Sequence, residues 1–144
     1  MSLTYHFTTL NDAYALLLEA KGLPSVAIAT PRVQRCVRAC ILLSWVALEE
    51  ALDHAIELWN RKGLALGVLP GTLRPRIAAV LAAVSKPPIN DATFTTLRKV
   101  RNELTHPRAS VDEPELAVGQ AERTFEFCTS TVRALFPFPV DCDF

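Results

Sequence analysis

Apolar residues recur at intervals of three and four along most of the chain, and no stretch alternates apolar and polar residues as a strand does. The clearest helical pattern lies between Pro31 and Arg61. Its apolar stripe consists of Val33, Val37, Cys40, Ser44, Leu48, Leu52, Ala55 and Trp59. The middle of this segment is apolar on its other faces as well, and a helix of that kind is buried on several sides. We therefore predict that it is the central helix of the fold, or that it lies partly in a subunit interface.

Proline and glycine divide the rest of the chain, because proline is favoured in the first turn of a helix and glycine just after the last turn. These signals predict helices over about 8–21, 31–61, 73–84, 91–105 and 112–135. Thr30 is the expected N-cap of the second helix, and Asn90 or Asp91 that of the fourth. The prediction is an all-α protein with one domain over residues 1–144, folded as an antiparallel bundle of four to five helices.

The composition and net charge of the chain exclude some classes of protein. Of the 144 residues, 50% are hydrophobic, which excludes a disordered chain, and the 15 basic residues balance the 15 acidic ones. A chain without net charge is not a broadly basic nucleic-acid coat, so nucleic-acid binding would need a local patch.

The mean hydropathy of +0.21 is high for a small protein. Its longest charge-free apolar stretch, Ala39–Leu48, is about half of the roughly 20 residues that a membrane-spanning helix needs. We therefore expect self-association rather than membrane insertion. The N-terminal segment has no secretory pattern, so we expect a cytoplasmic protein.

Four cysteines, Cys36, Cys40, Cys128 and Cys142, are expected to be free thiols in a reducing compartment. Cys36 and Cys40 share a helix face, but no CxxC pair offers two further zinc ligands. We interpret them as small apolar residues in a helix interface and expect no metal and no cofactor.

Positive charge is concentrated at the end of the fourth predicted helix, where Arg98, Lys99, Arg101 and Arg108 lie close together in the sequence. On a helix Asn102 and His106 are four apart and share a face, with Arg101 one position round. Pro107 ends the helix at His106. Because last turns are often 3₁₀ or frayed, we expect Arg101, Asn102 and His106 to converge on one small anion.

A guanidinium, an amide and an imidazole are the groups that metal-free RNA cleavage needs. The guanidinium binds phosphate through a bidentate fork, and the imidazole transfers protons near neutral pH. One histidine does not easily act as base and acid in the same turnover. A symmetric dimer would bring two copies of Arg101 and of His106 into one cleft.

The segment Arg101-Asn102-x-x-x-His106 resembles the RNxxxH form of the R-x4–6-H signature of the HEPN superfamily. The small all-α chain with a long apolar central helix is similar to that family as well. The resemblance implies a homodimer with a composite cleft and metal-independent endoribonuclease activity, as in toxins, antiviral defence or RNA processing. It assigns Arg101 and His106 as the catalytic pair and Asn102 as a supporting residue. Arg98, Lys99 and Arg108 are then the expected RNA-binding residues.

Three alternatives remain open. The chain is an active nuclease, a non-catalytic HEPN module that binds RNA, a nucleotide or a partner protein such as an antitoxin, or a purely structural helical adapter in which the motif is accidental. The acidic side of the central helix, formed by Glu49, Glu50, Asp53 and Glu57, is either solvated or supplies Glu49 or Glu50 as a partner for Arg101 or His106.

Overall fold

The computed structural model describes residues 4–22, 31–105 and 116–137, and these residues contain five helices. They are α1 (Thr4–Gly22), α2 (Pro31–Arg61), α3 (Leu73–Ala83), α4 (Asp91–Thr105) and α5 (Val118–Leu135). No strand occurs in these residues. The predicted all-α class is confirmed.

The long helix α2 is the centre of the fold, as its pattern predicted. Its contacts with α1 and α5 are the most extensive, and α3 and α4 contact it over smaller areas. Ile41, Trp45, Leu48 and Leu52 are almost fully buried along it. The helix ends where Gly63 adopts a φ of +90°, which lets the amide of Leu64 bond to the carbonyl of Trp59, 2.9 Å away.

The predicted antiparallel arrangement is found for α1 against both α2 and α5, but it is wrong for α2 against α5. Residues near the start of α2 contact the start of α5, since Gln34 bonds to Leu116, and Trp59 near the end of α2 bonds to Leu135. The two helices therefore run in the same direction. This is possible because α2 and α5 are not consecutive, since α3 and α4 lie between them in the chain.

The predicted start of α5 near Asp112 is also wrong, because residues 116–117 are not helical. The side-chain amide of Gln34 makes two hydrogen bonds to the backbone of buried Leu116, at 2.8 and 2.9 Å. Gln120 Oε1 then accepts a hydrogen bond from the amide of Ala117, 2.8 Å away. These contacts hold the segment extended and start α5 at Val118.

Candidate functional site

The helix α4 carries the predicted site, and its start is fixed by a side-chain cap. Asn90 Oδ1 accepts a hydrogen bond from the amide of Thr93 at 2.9 Å, which confirms one of the two predicted caps. Within α4, Phe94 and Leu97 are buried. Arg98 and Arg101 follow Phe94 by four and seven positions, so they lie on the side of α4 that faces α2.

Arg98 is held by two residues of α2. Its guanidinium carbon lies 5.2 Å from the centre of the Trp45 ring, and its Nη1 donates a hydrogen bond to Glu49 Oε1 at 3.2 Å. The Trp45 ring in turn packs edge-on against Phe94, with centroids 5.5 Å apart. Arg98 is therefore a fixed cation stacked on the core, with a side chain only 24% exposed.

Arg101 lies between a carboxylate and an amide. Its Nη2 is 3.8 Å from Glu49 Oε1, and its Nη1 donates a hydrogen bond to Asn102 Oδ1 at 3.2 Å. The side chain is 25% exposed. Thr105 ends the helix, where its hydroxyl donates to the carbonyls of Arg101 and Asn102. The structure thus brings Arg101 and Asn102 together and adds Glu49 to them.

Two predicted site residues, His106 and Arg108, lie outside the described residues. The structure describes α4 up to Thr105, which directly precedes His106 in the sequence. The predicted convergence of His106 with Arg101 and Asn102 therefore stays a prediction.

A groove of about 730 Å³ lies along α4 and reaches the start of α3. Its lining includes the basic residues Arg74, Arg98 and Lys99, the acidic residue Glu103, and the polar residues Thr72, Thr95 and Asn102, with Leu73 and Phe94 as apolar members. Lys99, which is exposed, points to this groove rather than to Glu49. Within the basic cluster, Arg101 pairs with Glu49, Lys99 lines the groove, and Arg98 does both.

The acidic side of α2 is mostly engaged in pairing with neighbouring helices. Glu49 binds the two arginines of α4, which agrees with one of the two sequence interpretations. Glu50 accepts a hydrogen bond from Thr9 at 3.4 Å, and Asp53 pairs with Arg76. Glu49 is therefore the acidic residue of this face that belongs to the candidate site.

The buried cysteines are poor nucleophiles. Cys36, Cys40 and Cys128 are free thiols, as expected, and each lies in the core. Burial raises the pKa of Cys40 to about 11 and raises the pKa of Cys128 well above its usual value. Cys142 lies outside the described residues.

Two residues of the groove could not be predicted from the sequence. Arg74 and Thr72 are distant in sequence from the predicted motif, and only the fold, in which Arg74 lies 3.6 Å from Asp91 of α4, brings them to the same groove. A single basic residue in the first turn of a helix carries no local signal for such a role. Among residues 4–22, 31–105 and 116–137, no group of His, Cys, Asp and Glu has the arrangement of a metal site.

Comparisons with family models, with curated proteins and with solved structures found no match to this chain. Within the described residues, no helix combines the length and apolar character needed to cross a membrane.

Proposed function

We propose that this protein is a metal-independent endoribonuclease of the HEPN type, in which Arg101 and His106 act on the scissile phosphate. The observation that carries the proposal is the position of Arg101. Its guanidinium lies at the end of α4, between Glu49 and Asn102, five residues before His106 in the sequence. An arginine held from two sides keeps other N–H donors for a phosphate and loses little side-chain entropy when it binds one.

The reaction begins with a base removing the proton of the ribose 2′-OH. The 2′-oxygen then attacks the phosphorus, and the bond from phosphorus to the 5′-oxygen breaks as an acid donates a proton to that oxygen. The products are a 2′,3′-cyclic phosphate and a 5′-hydroxyl, so no water is consumed. Arg101 stabilises the charge that develops on the nonbridging phosphate oxygens, and His106 transfers protons.

The proposal includes a homodimer, because one chain supplies a single His106 to a step that needs both a base and an acid. Two copies meeting at the ends of α4 would form one cleft with two histidines and two arginines. Asn102 then has a supporting role, since its carboxamide oxygen accepts a hydrogen bond from Arg101 and orients that guanidinium.

A second candidate function is a HEPN module that binds RNA or a regulatory protein without cleaving RNA. One observation favours it: Glu49 neutralises part of the charge of Arg98 and Arg101, which lowers their attraction for phosphate. Such a module binds RNA in a salt-dependent way and leaves it intact.

Single-stranded RNA incubated with the protein in EDTA separates the two candidates. The nuclease proposal predicts cleavage that falls by at least about a hundredfold in Arg101→Ala and in His106→Ala. The matched control is Arg133→Ala, which removes an exposed arginine of α5. Salt-dependent binding without cleavage supports the second candidate instead.

A further inference from the structure

The groove along α4 combines an apolar wall with a cationic rim inside one protomer. The ring of Phe94 is fixed by edge-on packing against Trp45 and against Phe127, with centroids 5.5 and 6.2 Å away, and part of it borders the groove beside Leu73. Arg74 and Lys99 are exposed side chains that line the same space. The volume of about 730 Å³ falls within the range of roughly 300–1,000 Å³ typical of small-molecule sites.

An unstacked nucleotide has the chemistry that matches this lining. Its base is flat and largely apolar on its faces but carries hydrogen-bonding edges, and its phosphate is an anion that arginine and lysine bind. Leu73 and Phe94 offer the apolar wall, whereas Thr72 and Thr95 offer hydroxyl groups for the base edge. A duplex presents no unstacked base to such a concave site.

The charges of the groove also give the ligand a direction. Arg74, Arg98 and Lys99 are the cations of the described lining, and Glu103 is its acidic residue. Arg98 is paired with Glu49, whereas Arg74 makes only a weak, exposed ion pair with Asp91 at the start of α4, 3.6 Å away. A carboxylate repels a phosphate and accepts hydrogen bonds from sugar hydroxyls. Since Glu103 lies one helical turn from Lys99, the phosphate belongs at the other end of the groove, near Arg74. The opposite end of the groove reaches Asn102, which accepts a hydrogen bond from Arg101. A strand that lies in the groove therefore leads to the proposed catalytic residues.

We propose that this groove binds one unstacked nucleotide of an RNA strand next to the bond to be cleaved, with its phosphate on Arg74. That the bound strand is a substrate rests on the proposed function. That the groove binds a nucleotide rests only on the residues that line it. It adds Arg74, Thr95 and Phe94 to the residues that contact RNA.

The test is fluorescence anisotropy with a labelled single-stranded oligoribonucleotide whose 2′-O-methyl groups prevent cleavage. Arg74→Gln removes one rim charge, and we expect the dissociation constant to rise about fivefold. The slope of log K against log salt should also decrease in magnitude by about 0.7. Thr95→Trp fills the groove from an exposed position, and we expect binding to weaken by more than about tenfold.

Two matched variants control for charge and for bulk. Arg133→Gln removes an exposed arginine of α5, which is not part of the groove lining. Thr96→Trp places the same bulk about 100° round α4, where Thr96 borders a separate groove beside α5. Both should bind the oligoribonucleotide like the wild type, and a blunt RNA duplex should compete poorly.

The outcomes separate this site from the proposed function. If Arg74→Gln and Thr95→Trp weaken binding and the controls do not, the groove is the binding site, even if the wild type cleaves no RNA. If both variants bind and cleave like the wild type, the groove assignment is overturned while the nuclease proposal stands. Equal losses in Thr96→Trp and Thr95→Trp, or no binding of the strand to the wild type, also overturn it.

Discussion

The carboxylate of Glu49 on the central helix accepts a hydrogen bond from Arg98 of α4 at 3.2 Å. The same oxygen lies 3.8 Å from Nη2 of Arg101, so one carboxylate orients both arginines. Phe94 and Leu97 attach α4 to the core, and this ion pair fixes the direction of the two arginine side chains rather than the helix itself. The position of the proposed catalytic arginine therefore depends on a residue 52 positions earlier in the chain.

Glu49→Gln tests that dependence. The amide keeps the size of the side chain and removes its charge, so Arg101 is oriented less tightly. We expect kcat to fall roughly threefold to tenfold, whereas KM should stay the same or fall, because Glu49 no longer competes with phosphate for the two arginines. The effect on the free energy of unfolding should stay below about 1 kcal/mol, because the Glu49 side chain is 41% exposed.

The control for Glu49→Gln is Glu57→Gln, which removes a carboxylate that pairs with Arg61 near the other end of α2. It should leave kcat unchanged. A loss of activity as large as that of Glu49→Gln would mean that the effect comes from the charge of α2 as a whole and not from the contact with Arg101.

The cap of α4 gives a prediction about stability. Asn90→Ala leaves the amide of Thr93 without the oxygen that now accepts its hydrogen bond, and we expect a loss of about 1 kcal/mol in the free energy of unfolding. Asn90→Asp keeps an acceptor and should restore most of that loss. Urea unfolding measures both, and equal stability of Asn90→Ala and the wild type would show that the cap contributes nothing.

Local signals explain why much of the fold could be predicted. The two ends of α2 follow from Pro31 and Gly63, and the start of α4 follows from Asn90, because each acts through neighbouring backbone groups. The start of α5 could not be predicted in this way, because it depends on Gln34, which bonds to Leu116 across 82 positions. The direction of α5 relative to α2 depends on packing that no local pattern contains.

Part of the candidate site also follows from local sequence, and part depends on how the helices pack. The spacing of Arg101 and Asn102 on one helix is local, and their contact follows from it. The choice between Glu49 and Glu50 depends on where α4 crosses α2, so the sequence left both open. Arg74 enters the groove only through the fold, in which it lies 3.6 Å from Asp91 of α4.

The two tryptophans of α2 form a natural comparison. Both are buried, but Trp59 Nε1 donates a hydrogen bond to the carbonyl of Leu135 at 2.8 Å, whereas Trp45 Nε1 has no hydrogen-bond acceptor among the described residues. Trp59→Phe leaves that carbonyl unsatisfied as well as creating a cavity. We therefore expect it to cost about 1 kcal/mol more than Trp45→Phe in the free energy of unfolding. Urea titrations compare the two, and a larger loss in Trp45→Phe would contradict this reasoning.

Buried thiols predict how stability changes at high pH. The fold raises the pKa of Cys40 from 9.0 to about 11, so between these values the native state keeps a proton that the unfolded chain loses. The stabilisation is present below pH 9 and is lost as the pH rises to about 11. Unfolding measured across this window should show a steep fall that is shallower in Cys40→Ala. If the free energy of unfolding falls equally steeply with pH in both proteins, the raised pKa of Cys40 is not the cause of the fall.

The most direct test of the central claim is the chemistry of the RNA ends formed in EDTA. The protein is incubated with single-stranded RNA, and the 3′ ends of the products are identified by mass spectrometry for the wild type, Arg101→Ala and His106→Ala. We predict 2′,3′-cyclic phosphates from the wild type and no products from either variant. Products with 3′-hydroxyl ends, or cleavage that persists in both variants, would contradict the claim that Arg101 and His106 promote attack by the 2′-hydroxyl.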